Sequence, residues 1–220
     1  MNAEHKNISI SYSAFSKIIH WITALIILGL LSIGFYMGGL DFSEDKLQLY
    51  ALHKSFGLLV LALAVIRVIS YMFITRPKSL PSHKKAEKIL AKVAHVFLYA
   101  ALFAMPLSGW VMSSAGDFSI QFFGINMPDI TRKNESVFHL SKDAHEIMAF
   151  ILIGIIGMHM AGAFKHHFID RDETLARMTY KSIGFIGGIG VLIVVGLLYL
   201  TPIFLILSDE EKSAPAEKES

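Results

Sequence analysis

The sequence predicts an all-α integral membrane protein, a four-helix transmembrane bundle with an extra fifth C-terminal transmembrane helix. Of its 220 residues, 54% are hydrophobic and only 17% are charged, and the mean hydropathy of +0.54 is too high for a soluble domain of this length. Five apolar runs are long enough to cross about 30 Å of hydrocarbon. The chain contains no cysteine, which excludes disulfides, thiolate metal sites and iron–sulfur clusters.

The first span is predicted at about residues 14–37. The residues before it, 1–12, form a polar tail without the features of a signal peptide, so this span is expected to remain in the protein. Lys17 lies at the start of the span, and His20 follows about one turn further in. Two glycines and an acidic segment then end it.

The second span is predicted at about residues 49–73, with His53 near its start and Arg67 near its end. The segment that follows it, residues 76–92, carries six lysines and arginines against a single glutamate. Two prolines interrupt the segment, and proline is rarely accommodated inside a helix. It is therefore predicted to be a basic connection.

The third span is predicted at about residues 91–113, with His95 just inside it and Pro106 expected to bend it. Residues 114–141 then form a longer polar connection that is rich in turn-forming residues.

The fourth span is predicted at about residues 143–166 and carries His145 and His159. A fifth run, residues 183–207, has no charged residue and is long enough to span a membrane. The predicted segments are an N-terminal tail at 1–12, a four-helix unit at 13–180, the additional helix at 181–208 and an acidic tail at 209–220.

The basic residues predict the orientation of the chain. If the spans alternate in direction, the lysines and arginines near the first span, in the 76–92 segment and after the fourth span all lie on one side. The positive-inside rule places that side in the cytoplasm. The N-terminus is then cytoplasmic and the C-terminus periplasmic.

Four of the ten histidines form two pairs at two depths. His145 and His159 are fourteen residues apart, so both leave one side of the fourth helix, about 21 Å apart along its axis. With alternating spans, His20 has the depth of His159, and His53 has the depth of His145. Each pair takes one imidazole from the fourth helix and one from a neighbour, the arrangement that ligates a haem iron on both faces inside a bundle.

Packing is the main alternative for any one of these residues, because a single intramembrane histidine is often only hydrogen bonded between helices. Four histidines at matched depths favour ligands. Arg67 shares the face of His53 but has the depth of the other pair. An arginine inside a membrane requires an anion, and a haem propionate would supply one.

Other polar residues have weaker interpretations. His95 has no opposite partner, so a propionate or quinone contact and plain packing stay equally open. His139 and Lys142 precede His145 by six and three residues and lie at the outer mouth of its helix, either as interfacial anchors or as contacts for an electron donor. Three further histidines are predicted to be interfacial residues beside basic charge: His83, His166 and His167.

Several residues and short motifs of this sequence occur together in one known protein family. They are Ile19-His20-Trp21, Leu52-His53-Lys54, Arg67, Ala94-His95-Val96, Pro106, Gly109, His145-Glu146, Gly157-Met158-His159 and His166-His167. Over about residues 12–180, the sequence resembles the bacterial cytochrome b561 family, which is similar to the di-haem membrane subunits of respiratory formate dehydrogenases and hydrogenases. The chain departs from the family after Tyr180, where the usual family member ends.

The resemblance implies that His20 with His159, and His53 with His145, are the axial ligands of two b-type haems. It also implies electron transfer in the bacterial inner membrane, between a donor at the outer face and the quinone pool. Some members of the family oxidise superoxide and reduce ubiquinone. The expected partners are the lipid bilayer, a quinone and an outer donor or periplasmic protein, with no nucleic acid. The oligomeric state stays open.

Two other functions are kept as alternatives. The protein could be the cytochrome b subunit of a larger dehydrogenase, acting only as an electron conduit. It could also be a haem-free transporter of metal ions or protons that uses membrane histidines. The transporter is disfavoured because residues 14–37 and 147–164 contain no carboxylate.

Overall fold

The computed structural model describes residues 11–179. It contains four long helices, α1 (Ala14–Gly39), α2 (Glu44–Phe73), α3 (Lys85–Ala115) and α4 (Glu135–Phe164), and α4 continues into a short π-helix at Lys165–Ile169. All four are long and apolar enough to cross a membrane, which confirms the predicted transmembrane bundle. The predicted fifth helix and the acidic tail lie outside the described residues.

Capping residues begin the helices outside the apolar runs. The side chain of Ser13 accepts a hydrogen bond from Ser16 at the start of α1, and Ser43 accepts one from Lys46 at the start of α2. Such caps satisfy backbone N–H groups that have no partner inside the helix. The helices are therefore longer than the predicted spans, because hydropathy detects only the part of a helix that is apolar.

The connection before α4 is shorter than the predicted 114–141. The side chain of Asn134 accepts a hydrogen bond from the backbone of Val137 and starts α4 at Glu135. The prediction was wrong here because the first turns of α4 are polar. Within the connection, β1 (Gln121–Phe122) pairs antiparallel with β2 (Ile125–Asn126).

The turn between the strands consists of Phe123 and Gly124, with φ angles of 48° and 90°. Positive φ at both central residues gives the turn the twist that suits a two-residue hairpin. Glycine adopts this conformation at no steric cost, whereas phenylalanine seldom does.

The helices pack in chain order, α1 on α2, α2 on α3 and α3 on α4. Among the described helices, neither α1 nor α2 packs its backbone closely against α4. Side chains bridge the space between them, as in the ring contact of Phe35 with Phe150, whose centroids are 5.3 Å apart. The interior of the bundle is therefore open enough to be lined by large polar side chains.

The bundle has two distinct ends. At the end that we call the basic end, Trp21 Nε1 donates to the carbonyl of Met178, and the Arg177 guanidinium donates to the carbonyl of Lys78. At the opposite end, the hairpin end, the Ser55 hydroxyl donates to the carbonyl of Gln121 on β1. These contacts tie the loops to the helix ends. They also show that the four helices alternate in direction, as predicted.

Candidate functional site

Two histidines meet across the interior near the basic end. His20 of α1 and His159 of α4 have ring centroids 6.3 Å apart, with the rings inclined by 63°. We call them the basic-end pair. A hydrogen-bond partner, Arg67 of α2, lies beside them, with its Nη2 donating to His20 Nδ1 at 3.2 Å.

Two further histidines meet near the hairpin end. His53 of α2 and His145 of α4 have ring centroids 6.2 Å apart, with the rings inclined by 69°. We call them the hairpin-end pair. The four histidines thus meet in the two pairs expected from their depths, one imidazole of each pair coming from α4.

The spacing within both pairs matches two imidazoles on opposite sides of one metal ion. A metal–nitrogen bond is about 2 Å long and the nitrogen lies about 1 Å from the ring centre, so the centroids of two opposite ligands are about 6 Å apart. His95 also approaches His159, with centroids 5.2 Å apart. That separation is shorter than opposite ligation requires, so the geometry favours His20 over His95 as the partner of His159.

The hairpin-end pair is oriented by a hydroxyl group. The Ser108 hydroxyl donates to the Met105 carbonyl at 2.8 Å, and its oxygen lies 2.9 Å from His145 Nδ1. Since the hydroxyl proton is used on Met105, the oxygen accepts from His145 Nδ1–H. Nε2 of His145 is then unprotonated, which is the state that a metal ligand requires.

Glycines leave room for the hairpin-end imidazoles. A Cβ at Gly34 would lie 3.3 Å from Cε1 of His53, and one at Gly109 would lie 3.5 Å from Cε1 of His145. The first distance is tighter than an ordinary contact, so a side chain at Gly34 would displace the His53 ring.

The basic-end pair has a charged and more polar environment. The Arg67 guanidinium also lies 5.3 Å from the ring centroid of Tyr99. His95 donates its Nδ1–H to the carbonyl of Ala91 at 2.5 Å, which leaves its Nε2 as an acceptor near His159.

Unpaired polar atoms favour a bound group in this interior. Among the described residues, His53 Nδ1 and the Tyr99 hydroxyl are buried without a hydrogen-bond partner. A buried polar group without a partner costs about 1–3 kcal/mol, so a ligand that supplies one would be stabilised. Together with the imidazole spacings and the space beside α4, these atoms fit a haem at each pair.

His139 and Lys142 lie in the first turns of α4 at the hairpin end. Lys142 Nζ is 2.7 Å from Glu146 Oε1, and the two side chains are 45% and 58% exposed. His139 is more exposed, with Nε2 3.9 Å from Glu135 Oε1. Both residues are therefore accessible from solution, and each lies beside a carboxylate.

Sequence reasoning missed several residues that touch the histidine pairs or Arg67, among them Ser108, Gly34 and Tyr99. These three are common residue types in apolar helices, and no spacing rule distinguishes them.

Comparison with known proteins relates the chain to a family of cytochromes. The profile of the family described as prokaryotic cytochrome b561 matches residues 11–181. Cytochrome b561 homolog 2 of Escherichia coli K12 is 33% identical over 173 residues, which cover 78% of this chain and 92% of the relative. Cytochrome b561 homolog 1 of the same organism is 29% identical over 164 residues, 73% of this chain and 92% of the relative.

A third relative carries a functional name. The probable superoxide oxidase CybB of Yersinia pestis is 27% identical over 173 residues, covering 79% of this chain and 98% of the relative. The matched region contains both histidine pairs and all four described helices. The chain therefore belongs to the prokaryotic cytochrome b561 family and is an integral membrane cytochrome b with an electron-transfer role.

Proposed function

We propose that the protein binds two b-type haems, one at each histidine pair, and transfers electrons between a donor at the outer membrane face and the quinone pool. The observation that carries the proposal is the repeated spacing of 6.3 Å and 6.2 Å between imidazole centroids. Two such pairs at opposite ends of one helix suit a path through the membrane rather than a single binding site.

In this proposal, His20 and His159 would hold one haem, and His53 and His145 would hold the other. Bound haem supplies one-electron oxidation and reduction, and two histidine ligands leave the iron without an open position. The protein then works by outer-sphere electron transfer. Ser108 keeps His145 in the tautomer that ligates through Nε2.

Arg67 and His95 serve the basic-end haem. Ligation through His20 Nε2 requires the imidazole proton to move to Nδ1, which ends the hydrogen bond that Arg67 donates there. The guanidinium is then available for a carboxylate, and a haem propionate provides one. His95 presents its Nε2 near His159 and is the candidate contact for a propionate or a quinone.

The basic end faces the cytoplasm in this proposal, with the hairpin end and its loops outside the bacterial inner membrane. The excess of lysine and arginine at the basic end supports this orientation. His139 and Lys142 then lie on the outer face, where they are candidate contacts for the donor. Superoxide is the donor we favour, because the Yersinia pestis relative is named a probable superoxide oxidase.

A haem count on purified protein tests the two sites. We expect about two b haems per chain in a pyridine haemochrome assay, and about one in each of His53→Ala and His159→Ala. His139→Ala is the matched control, since it removes an exposed histidine of α4 and should keep both haems. One haem that survives His53→Ala and is lost in His159→Ala would confine the redox site to the basic end.

Stopped-flow measurements test the electron path. Superoxide should reduce the haems, and added ubiquinone should reoxidise them. Haems that respond to neither reagent would favour the alternative of a conduit subunit that depends on a larger dehydrogenase. Purified protein without a Soret band would overturn the cytochrome sites and favour the histidine-based transporter.

A further inference from the structure

Three side chains converge at the basic end, away from both histidine pairs. His83 Nε2 and His166 Nδ1 lie 3.1 Å and 2.8 Å from the same oxygen, Oδ2 of Asp172. The three donor atoms lie within 4.8 Å of one another. The His83 and His166 rings are 4.3 Å apart between centroids and inclined by 32°, so both imidazoles present a nitrogen to one point.

The three residues come from two parts of the chain, and each part is folded by its own local backbone hydrogen bonds. His83 lies in the connection between α2 and α3, His166 in the π-helix and Asp172 just after it. The Asp172 N–H donates to the carbonyl of His166 at 3.0 Å, and the His83 N–H donates to the carbonyl of Leu80 at 3.2 Å. The donors are therefore placed before any ligand arrives.

Backbone strain marks the same place. Arg171 has a φ of 54°, a left-handed conformation that costs a residue with a side chain about 1–2 kcal/mol. It lies between Asp170 and Asp172, whose carboxylates both contact His166 Nδ1, at 3.0 Å and 2.8 Å. Strain of this kind is concentrated at ligand sites.

We propose that His83, His166 and Asp172 bind a divalent first-row transition-metal ion of the Zn²⁺ type. Two imidazoles and one carboxylate are a common ligand set for such ions, and bonds of about 2.0–2.2 Å separate neighbouring ligand atoms by roughly 3–3.5 Å. The distances from both nitrogens to Asp172 Oδ2 are already close to this. Thr174 Oγ1, 3.0 Å from His83 Nε2, or a water molecule completes the coordination.

The low exposure of these three side chains and the charges around them also favour a bound cation. The side chains of His83, His166 and Asp172 are only 13–14% exposed, so an ion can enter but is largely shielded from solvent. Lys165, which precedes His166 in the chain, is held by Glu87 at 2.9 Å and by Asp170 at 2.6 Å, and these carboxylates offset its positive charge.

Metal binding would join parts of the chain that are far apart in sequence. Without metal, one ring N–H of His83 and one of His166 donate to Asp172. With metal, those two nitrogens become ligands, and each ring carries its proton on the other nitrogen. The ion then connects the α2–α3 connection directly to the segment after α4. The ion would therefore stabilise the basic end of the bundle.

Zinc titration of the full-length haem protein tests the site, using protein purified without a polyhistidine tag. Isothermal titration should find one Zn²⁺ per chain, with affinity at least tenfold weaker in His83→Ala and in Asp172→Asn. His167→Ala is the matched control, because it removes the neighbouring histidine and should leave the affinity unchanged. Unaltered haem spectra in all variants would exclude general misfolding.

Zinc-edge X-ray absorption on the wild-type protein decides the question even where a variant fails to fold. Two imidazole ligands and one or two oxygen ligands at about 2.0–2.2 Å are expected. The proposal would be overturned by a ligand shell with fewer than two imidazoles or by the absence of stoichiometric zinc in the wild type. It would also be overturned if His83→Ala and Asp172→Asn bound zinc as tightly as the wild type does. The haem count is a separate measurement, so this site can fail while the proposed function stands.

Discussion

The two histidine pairs have the same chemistry but different surroundings. At the basic end, His20 receives a hydrogen bond from the Arg67 cation, and a third imidazole, His95, lies beside His159. At the hairpin end, His145 donates to the neutral Ser108 hydroxyl, and its partner His53 lies close to a glycine. Because α4 supplies one histidine to each pair, the neighbouring helices make the two sites different.

This difference suggests a division of roles between the ends. A positive charge near a haem disfavours the oxidised state, which carries one more positive charge than the reduced state. We therefore expect the basic-end haem to have the higher midpoint potential. In our proposal, binding of the hairpin-end haem depends instead on the orientation of the His145 imidazole by the uncharged Ser108 hydroxyl.

Ser108→Ala should have the largest effect and should weaken haem binding only at the hairpin end. Removing the hydroxyl takes one acceptor from His145 Nδ1–H and leaves the ring held only by its hydrogen bond to the Met105 carbonyl. Loss of such a partner typically costs about 10–100-fold in metal affinity. The measurement is the rate of haem transfer to apomyoglobin in a His159→Ala background, which should retain only the hairpin-end haem. We expect Ser108→Ala to make this transfer about 10–100-fold faster.

Two controls sharpen this test. Ser108→Thr keeps the hydroxyl and should restore slow haem transfer, whereas Ser108→Ala in a His53→Ala background should not affect the remaining basic-end haem. Equal acceleration at both ends would mean that Ser108 acts through the packing of α3 and not through His145.

Arg67→Leu should lower the midpoint potential of the basic-end haem alone. A unit charge about 7–10 Å away at an effective dielectric constant of about 20 is worth roughly 1.7–2.4 kcal/mol, or about 70–100 mV for one electron. Spectroelectrochemical titration in the His53→Ala background measures this shift. Arg67→Lys retains the charge and should recover most of the potential.

The hairpin-end haem provides the internal reference for Arg67. In a His159→Ala background, Arg67→Leu should change its potential little, since the arginine contacts the other pair. Equal shifts in both backgrounds would contradict the assignment of this cation to one site.

The sequence was sufficient to predict the four helices and the histidines that meet. Long apolar runs determine where a chain crosses a membrane, and helical periodicity with alternating direction determines which residues share a depth. The predicted pairs, His20 with His159 and His53 with His145, are those that meet in the structure. Their role as haem ligands stays a prediction.

Contacts that depend on helix rotation or loop conformation could not be predicted. Ser108 reaches His145 only because α3 and α4 present those faces to each other, and no periodicity determines this relative rotation. The hairpin was missed because Phe123 precedes Gly124 where asparagine or aspartate is usual. His83 and His166 were predicted to be separate interfacial residues, although their side chains meet at Asp172.

Lys142→Ala should have the smallest effect, because Lys142 is already paired with Glu146 and both side chains are exposed. Solvent and salt screen such charges, so we expect only about a twofold slower reduction of the hairpin-end haem by superoxide, with a weaker dependence on ionic strength. Glu146→Gln should act in the opposite direction, since it removes a negative charge and leaves Lys142 uncompensated. If neither substitution changes the ionic-strength dependence in stopped-flow experiments, Lys142 does not attract the donor. The two ends would then differ only in the residues around their histidine pairs, inside the bundle.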